Sequence, residues 1–270
     1  SAEGIREMSP DEPVRVSPSG VEYFDTCGLG WFLDRYRGRE GAVSAGVGTI
    51  VHAAFERAGD DASVESLAQI VDDGWTNLTF DVDWESRWRR SKVQGMLEKL
   101  ISYLDHVRAE QRRRVAAEID FCVEGESFVL PGTIDRIEVD SDNRVHIIDL
   151  KTSRNAITRD EAKTNPQLMS YQLAVLDGLP GSSADAAVQD RIVGLELAQA
   201  GLLYVGTSAK GYVVRIQEPL TAEQRAAFRA HLHEVAEGMS AAECVARLES
   251  HCVSTGYAPC RIHLVPAVTE

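Results

Sequence analysis

One short stretch, residues 131–153 (PGTIDRIEVDSDNRVHIIDLKTS), constrains this chain more than any other. Residues 133–140 form a β-prone run whose apolar members are Ile134, Ile137 and Val139. Residues 144–150 form another, with Val145, Ile147 and Ile148. Ser141, Asp142 and Asn143 between them suit a three-residue hairpin loop, which ends on a left-handed residue, a conformation Asn tolerates. Pairing Asp140 with Arg144 sets Asp135 opposite Asp149 and Thr133 opposite Lys151. Opposed residues share a face, as do residues two apart on one strand. One face of one hairpin is thus expected to carry Asp135, Asp149 and Lys151.

Two carboxylates forced together repel unless a cation lies between them, and hard oxygen donors suit Mg²⁺ or Mn²⁺. A lysine two residues after the second acid is placed to hold or deprotonate a water, or to stabilise charge on a phosphate. The plain alternative is a surface hairpin with an Asp–Lys pair. Against it, both acids sit among apolar neighbours, in Ile134-Asp135 and in Ile147-Ile148-Asp149-Leu150-Lys151.

The chain has 270 residues, 44% of them apolar, enough for one well-cored domain or two small ones. No apolar run approaches the ~18 residues of a membrane span, and the polar start lacks the apolar core of a signal peptide. A net charge of −14 argues against gripping DNA by bulk electrostatics, although a domain inside a larger complex escapes that objection. Five cysteines without a compact framework fit a reducing cytoplasm.

Along the chain, residues 1–14 read as a flexible tail or linker, because they show no periodic pattern. Ser17-Pro18 starts a helix, with Val21, Phe24, Cys27, Trp31 and Phe32 as its apolar positions. A second helix opens near Gly46 and runs to about Ala58, with His52 near its start; a lone histidine there is commonly structural. Residues 64–116 read as two or three helices. Within them, Trp84, Arg87, Trp88, Arg89, Arg90 and Lys92 mix aromatic and basic residues, either a clamp for single-stranded DNA or a packed helix with a solvated basic face. Residues 111–114 read as a solvated helix end. Residues 117–124 read as a strand, with Glu118 either approaching the metal or, as is commoner, structural, and Cys122 a core residue. Asn165-Pro166 starts a helix on which Gln167 and Tyr171 share a face. Residues 177–190 read as a loop, 194–204 and 211–217 as strands, and 222–239 as a final helix.

Gly132-x-Ile134-Asp135-Arg136 followed by Ile147-Ile148-Asp149-Leu150-Lys151-Thr152-Ser153 resembles the core of the PD-(D/E)xK nucleases, in the branch typified by the RecB and AddB nuclease domains. In that branch Ile-Asp stands in place of Pro-Asp. Three further elements are similar to that branch: the opening segment around Ser17 and Cys27 (with Gly28 where Pro is usual), Gly48-x-x-x-His52, and Gln167-x-x-x-Tyr171. The resemblance implies an α/β fold, with a central mixed sheet flanked by helices and the hairpin at its centre. It implies Asp135, Asp149 and His52 as metal ligands, Lys151 as the residue that orients water or neutralises charge, and Gln167 and Tyr171 on the DNA-facing side.

Many such relatives bind a [4Fe–4S] cluster through four cysteines. Here Cys27, Cys252 and Cys260 match three of these, but Thr255 stands at the fourth position, so an intact cluster is not expected. The layout is closest to the nuclease domains of actinobacterial AdnAB-type helicase–nucleases. The expectation is a single domain over 15–265 with a short tail at 266–270. The resemblance implies a Mg²⁺- or Mn²⁺-dependent deoxyribonuclease, expected to act on single-stranded DNA beside a helicase motor during double-strand-break repair. The rivals are a nuclease-like scaffold that has lost activity and a sequence-specific restriction-type enzyme, for which no recognition module is seen.

Overall fold

The computed structural model describes residues 12–36, 43–59, 61–80, 82–241 and 243–246. The expected hairpin forms from β3 (Phe128–Val139) and β4 (Arg144–Lys151), paired antiparallel with Val139 opposite Val145 and Arg136 opposite Ile148. Asn143 closes the loop at φ 58°, and the Asp140 carboxylate accepts the backbone N–H groups of Asp142 and Arg144. Burial alone would raise the Asp140 pKa, but the Arg144 N–H, the His146 ring and the Arg144 guanidinium bring it down to about 2. The anion therefore holds the turn.

Around this hairpin lies a mixed six-stranded sheet. β2 (Arg113–Glu124) runs antiparallel along one side of β3. On the other side β1 (Val14–Arg15) pairs parallel with the start of β3, and β4 pairs with its end. β5 (Glu196–Tyr204) lies parallel to β4, and β6 (Val213–Gln217) antiparallel to β5. The parallel β4–β5 connection passes through α6 (Arg159–Lys163), α7 (Pro166–Leu176) and α8 (Ala186–Gln189). Such a crossover needs helical cover.

Helices cover both faces. On one, α1 (Pro18–Thr26), α7 and α9 (Ala222–Ser240) enclose a core with Ile134, Ile137, Ile147 and Leu202. On the other, α3 (Val43–Arg57), α4 (Val64–Trp75) and α5 (Asp83–Ala109) enclose one with Ile148, Leu150 and Leu203. α2 (Gly28–Tyr36) follows α1 after a break at Cys27. This αβα arrangement is the expected fold class. It explains why β4 reads as a continuous apolar run, since both its faces are covered.

The strand alternation slips near the middle of β3. Ile134 and Ile137 lie three apart yet belong to the same core, as do Ala116 and Ile119 opposite them on β2. Between these pairs sit Asp135 and Glu118, and Glu118 has φ 48°, a strained value for a residue with a side chain. The irregularity is thus centred on the acids.

Four expectations are corrected. Val14 is buried and paired to Phe128, so the order begins before residue 15, inside the proposed tail. Residues 111–116 are not the end of a helix: α5 stops at Ala109, Gln111 turns at φ 56°, and β2 starts at Arg113. Arg112 is buried beside Glu138 rather than solvated. Cys122 is only partly buried, and residues 177–190 include the short α8. Residues 266–270 lie outside the described residues.

Candidate active site

β3 and β4 bring Asp135 and Asp149 together as the register predicts, but the ladder stops one step short of them. Asp135 Oδ2 accepts the Leu150 backbone N–H at 2.7 Å, so a side chain replaces a strand contact there. Thr133 does not meet Lys151; its hydroxyl donates to Asp120 on β2 instead, and Lys151 pairs with Tyr204 of β5.

α7 supplies the partners of Asp149. Its start is set by Asn165, which caps it through Leu168 N–H. Residues four apart then present Gln167 and Tyr171 to one carboxylate oxygen. Asp149 Oδ1 accepts from Gln167 Nε2 at 3.0 Å and from the Tyr171 hydroxyl at 2.8 Å. Gln167 Oε1 accepts from Lys151 Nζ at 2.7 Å. The amide is oriented by its neighbours, with its oxygen toward the ammonium and its nitrogen toward the carboxylate. Burial and the two aspartates hold the Tyr171 pKa well above the ordinary tyrosine value, so its hydroxyl remains a donor.

Lys151 Nζ stands 2.8 Å from Asp149 Oδ2, yet that buried oxygen accepts no aligned hydrogen bond. Burial pulls the Lys151 pKa down, but the charge of the adjacent Asp149 carboxylate outweighs it and leaves it raised. The ammonium is therefore protonated at neutral pH and is no free-amine base.

α3 crosses from the opposite layer and places His52 Nδ1 3.3 Å from Asp135 Oδ2. Burial lowers the His52 pKa, so the ring is neutral at pH 7 and offers a lone pair. Burial first, and then the Asp149 carboxylate, push Asp135 up to about 8. An acid held this far up marks a place where negative charge lacks compensation.

Glu118 joins this group. One ligand atom each from His52, Glu118 and Asp135 lies within 4.8 Å of the others, the only such His/Cys/Asp/Glu group among the described residues. Burial and the nearby Glu56, Asp120 and Asp149 charges raise its pKa. Of the two roles the sequence leaves open for Glu118, its place beside His52 and Asp135 favours the one near the candidate metal site. The donor set of carboxylates, a neutral imidazole and an under-used buried carboxylate oxygen fits a hard divalent cation.

Glu22 of α1 was missed by sequence reasoning. It is partly buried near Lys151, Asp149 and Asn165, and burial raises its pKa against the opposing pull of Lys151. In the sequence it is one polar position on an amphipathic helix, and no local signal separates it from its neighbours.

None of the remaining sequence-predicted residues belongs to the His52–Glu118–Asp135 group. Arg89 pairs with Glu85, and Arg90 with Asp72, so neither is a free cation. Trp88 and Lys92 remain exposed on α5. Cys27 is buried and its sulfur accepts the Gly30 N–H; Cys252 and Cys260 lie outside the described residues. No helix among the described residues is long and apolar enough to cross a membrane.

A comparison with curated proteins finds no match. Among solved structures, the chain is similar to the crystal structure of SSO0001, at 13% identity and TM-score 0.29, covering 82% of this chain and 83% of that one. It is also similar to protein VC1899 from Vibrio cholerae, at 11% identity and TM-score 0.24, covering 83% of this chain and 55% of that one. TM-scores this low carry no argument, and the assignment rests on a family model. The model of the PD-(D/E)XK nuclease superfamily matches residues 15–261. With nearly the whole chain matched and the paired acids, lysine and histidine brought together in space, this chain belongs to the PD-(D/E)XK nuclease superfamily, a group of metal-dependent phosphodiester hydrolases.

Proposed function

We propose that this chain is a RecB/AddB-like nuclease domain that hydrolyses phosphodiester bonds of single-stranded DNA. We read it as one domain over about residues 15–265, working beside a helicase motor of the AdnAB type in recombinational repair. The observation that carries this reading is the charge pattern at the hairpin. Asp135 and Asp149 are crowded and buried, His52 is neutral, and Lys151 is protonated beside them. The match of the opening segment, Gly48-x-x-x-His52 and Gln167-x-x-x-Tyr171 supports the branch. Three unpaired cysteines among the described residues fit a reducing compartment.

In this reading Asp135, Asp149 and His52 would hold Mg²⁺ or Mn²⁺, with Glu118 as a further donor. Bound there, such an ion would supply charge stabilisation for a phosphoryl group and a more acidic water. Lys151, being protonated, orients the attacking water through its N–H groups and offsets charge that develops on the phosphate. Gln167 fixes the Lys151 ammonium through Oε1 and Asp149 through Nε2. Tyr171 donates to the same carboxylate oxygen and holds the Asp149 side chain in place, with its second oxygen against the Lys151 ammonium.

The test is turnover on single- and double-stranded DNA with Mg²⁺, Mn²⁺ and EDTA, for wild type, Asp149→Ala and Lys151→Ala, with thermal unfolding alongside. Lys151→Ala removes one preorganised electrostatic contact and should cost ~10²–10³ in rate while the protein stays folded. Wild-type cleavage by either folded variant would sink the assignment. An inactive wild type that still binds DNA with its helicase partner would establish the scaffold instead.

A further inference from the structure

The acid cluster accounts for cutting a phosphodiester but not for choosing an unpaired strand. α5 offers a feature that does. Trp84, Trp88 and Lys92 are spaced four apart and share one face of that helix. Trp84 is 65% exposed and Trp88 44%, unusual for the largest aromatic side chain. Two cations stand over the Trp88 ring: Lys92 Nζ at 5.5 Å from its centroid and the Arg154 guanidinium at 5.8 Å. Arg154 is exposed and belongs to the segment leaving β4, three residues beyond Lys151. An extended chain covers at most ~3.6 Å per residue, so Arg154 lies within about 11 Å of Lys151, roughly three nucleotide rises of a stacked strand.

The neighbouring basic residues differ. Arg89 and Arg90 are matched by Glu85 and Asp72. Among the described residues Lys92 and Arg154 form no ion pair with an acid. In a chain of net charge −14 such unmatched cations are placed against the overall field.

We propose that Trp88, Lys92 and Arg154, extended by Trp84, form a platform that receives the unpaired substrate strand next to the acid cluster. The two cations take backbone phosphates, and the indoles stack on the attached bases. A duplex hides its base faces and gains only the phosphate contacts, so the platform selects single-stranded DNA. This rests on the nuclease reading for its substrate, but its test does not depend on cleavage.

The experiment measures anisotropy of a labelled oligothymidylate and of a duplex of equal length, with Ca²⁺ present, over a range of salt concentrations. The proteins are wild type, Trp88→Ala, Trp88→Phe, Trp84→Ala and Arg154→Gln. Because the indoles are exposed, their truncation leaves both cores intact, and melting curves check this. Losing one stacked base should weaken single-strand binding roughly 5- to 150-fold. Trp88→Phe should restore most of it, and duplex binding should change little. Arg154→Gln should flatten the single-strand salt slope by about 0.7, one phosphate contact.

Unchanged single-strand affinity in Trp88→Ala and Arg154→Gln overturns the platform. So does an equal loss on single and double strands, or a wild type that binds no single strand. Cleavage with Mn²⁺ is scored separately. An inactive wild type whose single-strand affinity still falls in Trp88→Ala fails the nuclease reading and keeps the platform. An active enzyme with indifferent variants does the reverse.

Discussion

Asp135 keeps a proton at neutral pH in the metal-free protein, because burial and the Asp149 charge push it up to about 8. A cation entering the cluster must displace that proton. Mn²⁺ affinity should therefore rise by up to tenfold per pH unit below about pH 8 and flatten above it. Calorimetric titration between about pH 6 and pH 9 reads this directly, and a flat profile would remove Asp135 from the ligand set. The metal-free fold responds in the opposite sense. Its native Asp135 pKa lies above the unfolded value of 3.8, so the native state binds more protons and stability falls as pH rises from about 4 to about 8. Lys151 behaves differently from both, since its raised pKa keeps it charged across this range.

At the scale of elements, the site depends on how closely the end of β5 approaches the chain leaving β4. Val205 N–H donates to Lys151 O at 3.0 Å, and a Cβ on Gly206 would lie 1.9 Å from Thr152 O. No side chain fits there without moving the backbone that carries Lys151. Gly206→Ala should cost about 1–3 kcal/mol, and turnover should fall further than the folded fraction does. Gly95→Ala is the contrasting case, inside α5 with nothing within 4 Å of the added Cβ. It should stabilise by about 0.5–1 kcal/mol, because alanine loses less chain entropy in a helix. Urea unfolding of both variants checks the pair; equal effects would mean that the β4–β5 approach is looser than the contact implies.

Across the whole molecule, the cluster joins elements that are far apart in sequence. His52 comes from α3, Glu118 from β2 and Asp135 from β3. A cation bound among them would link the helical layer on one face of the sheet to two strands. It should stabilise the native state by RT ln(1 + [L]/Kd), about 2.7 kcal/mol at a hundred times Kd. Mn²⁺ should thus raise the melting temperature of wild type reversibly with EDTA, and Asp135→Asn should lose most of that response while staying folded. A metal-independent melting temperature in wild type would contradict this joining role.

Local chemistry determined the hairpin, its register and the acid–lysine face. Alternating apolar residues, a left-handed Asn and a turn acid specify these within about twenty neighbouring residues. The helical cap at Asn165 and the four-residue spacing of Gln167 and Tyr171 were legible for the same reason. Glu118 was legible only as one of two readings, because the slip in strand alternation that brings it beside His52 arises between β2 and β3 and leaves no trace in either strand alone. Glu22 approaches Lys151, and Arg154 approaches Trp88, only once helices pack on both faces of the sheet. Arg112 looked like the end of a solvated helix, since three consecutive arginines are usually exposed, yet Glu138 offers it a buried partner from a distant strand. Periodicity records which face of an element a residue occupies. What meets that face is decided by packing between elements, and this is where the tertiary structure set Glu118 beside His52, brought Glu22 near Lys151 and laid Arg154 over Trp88.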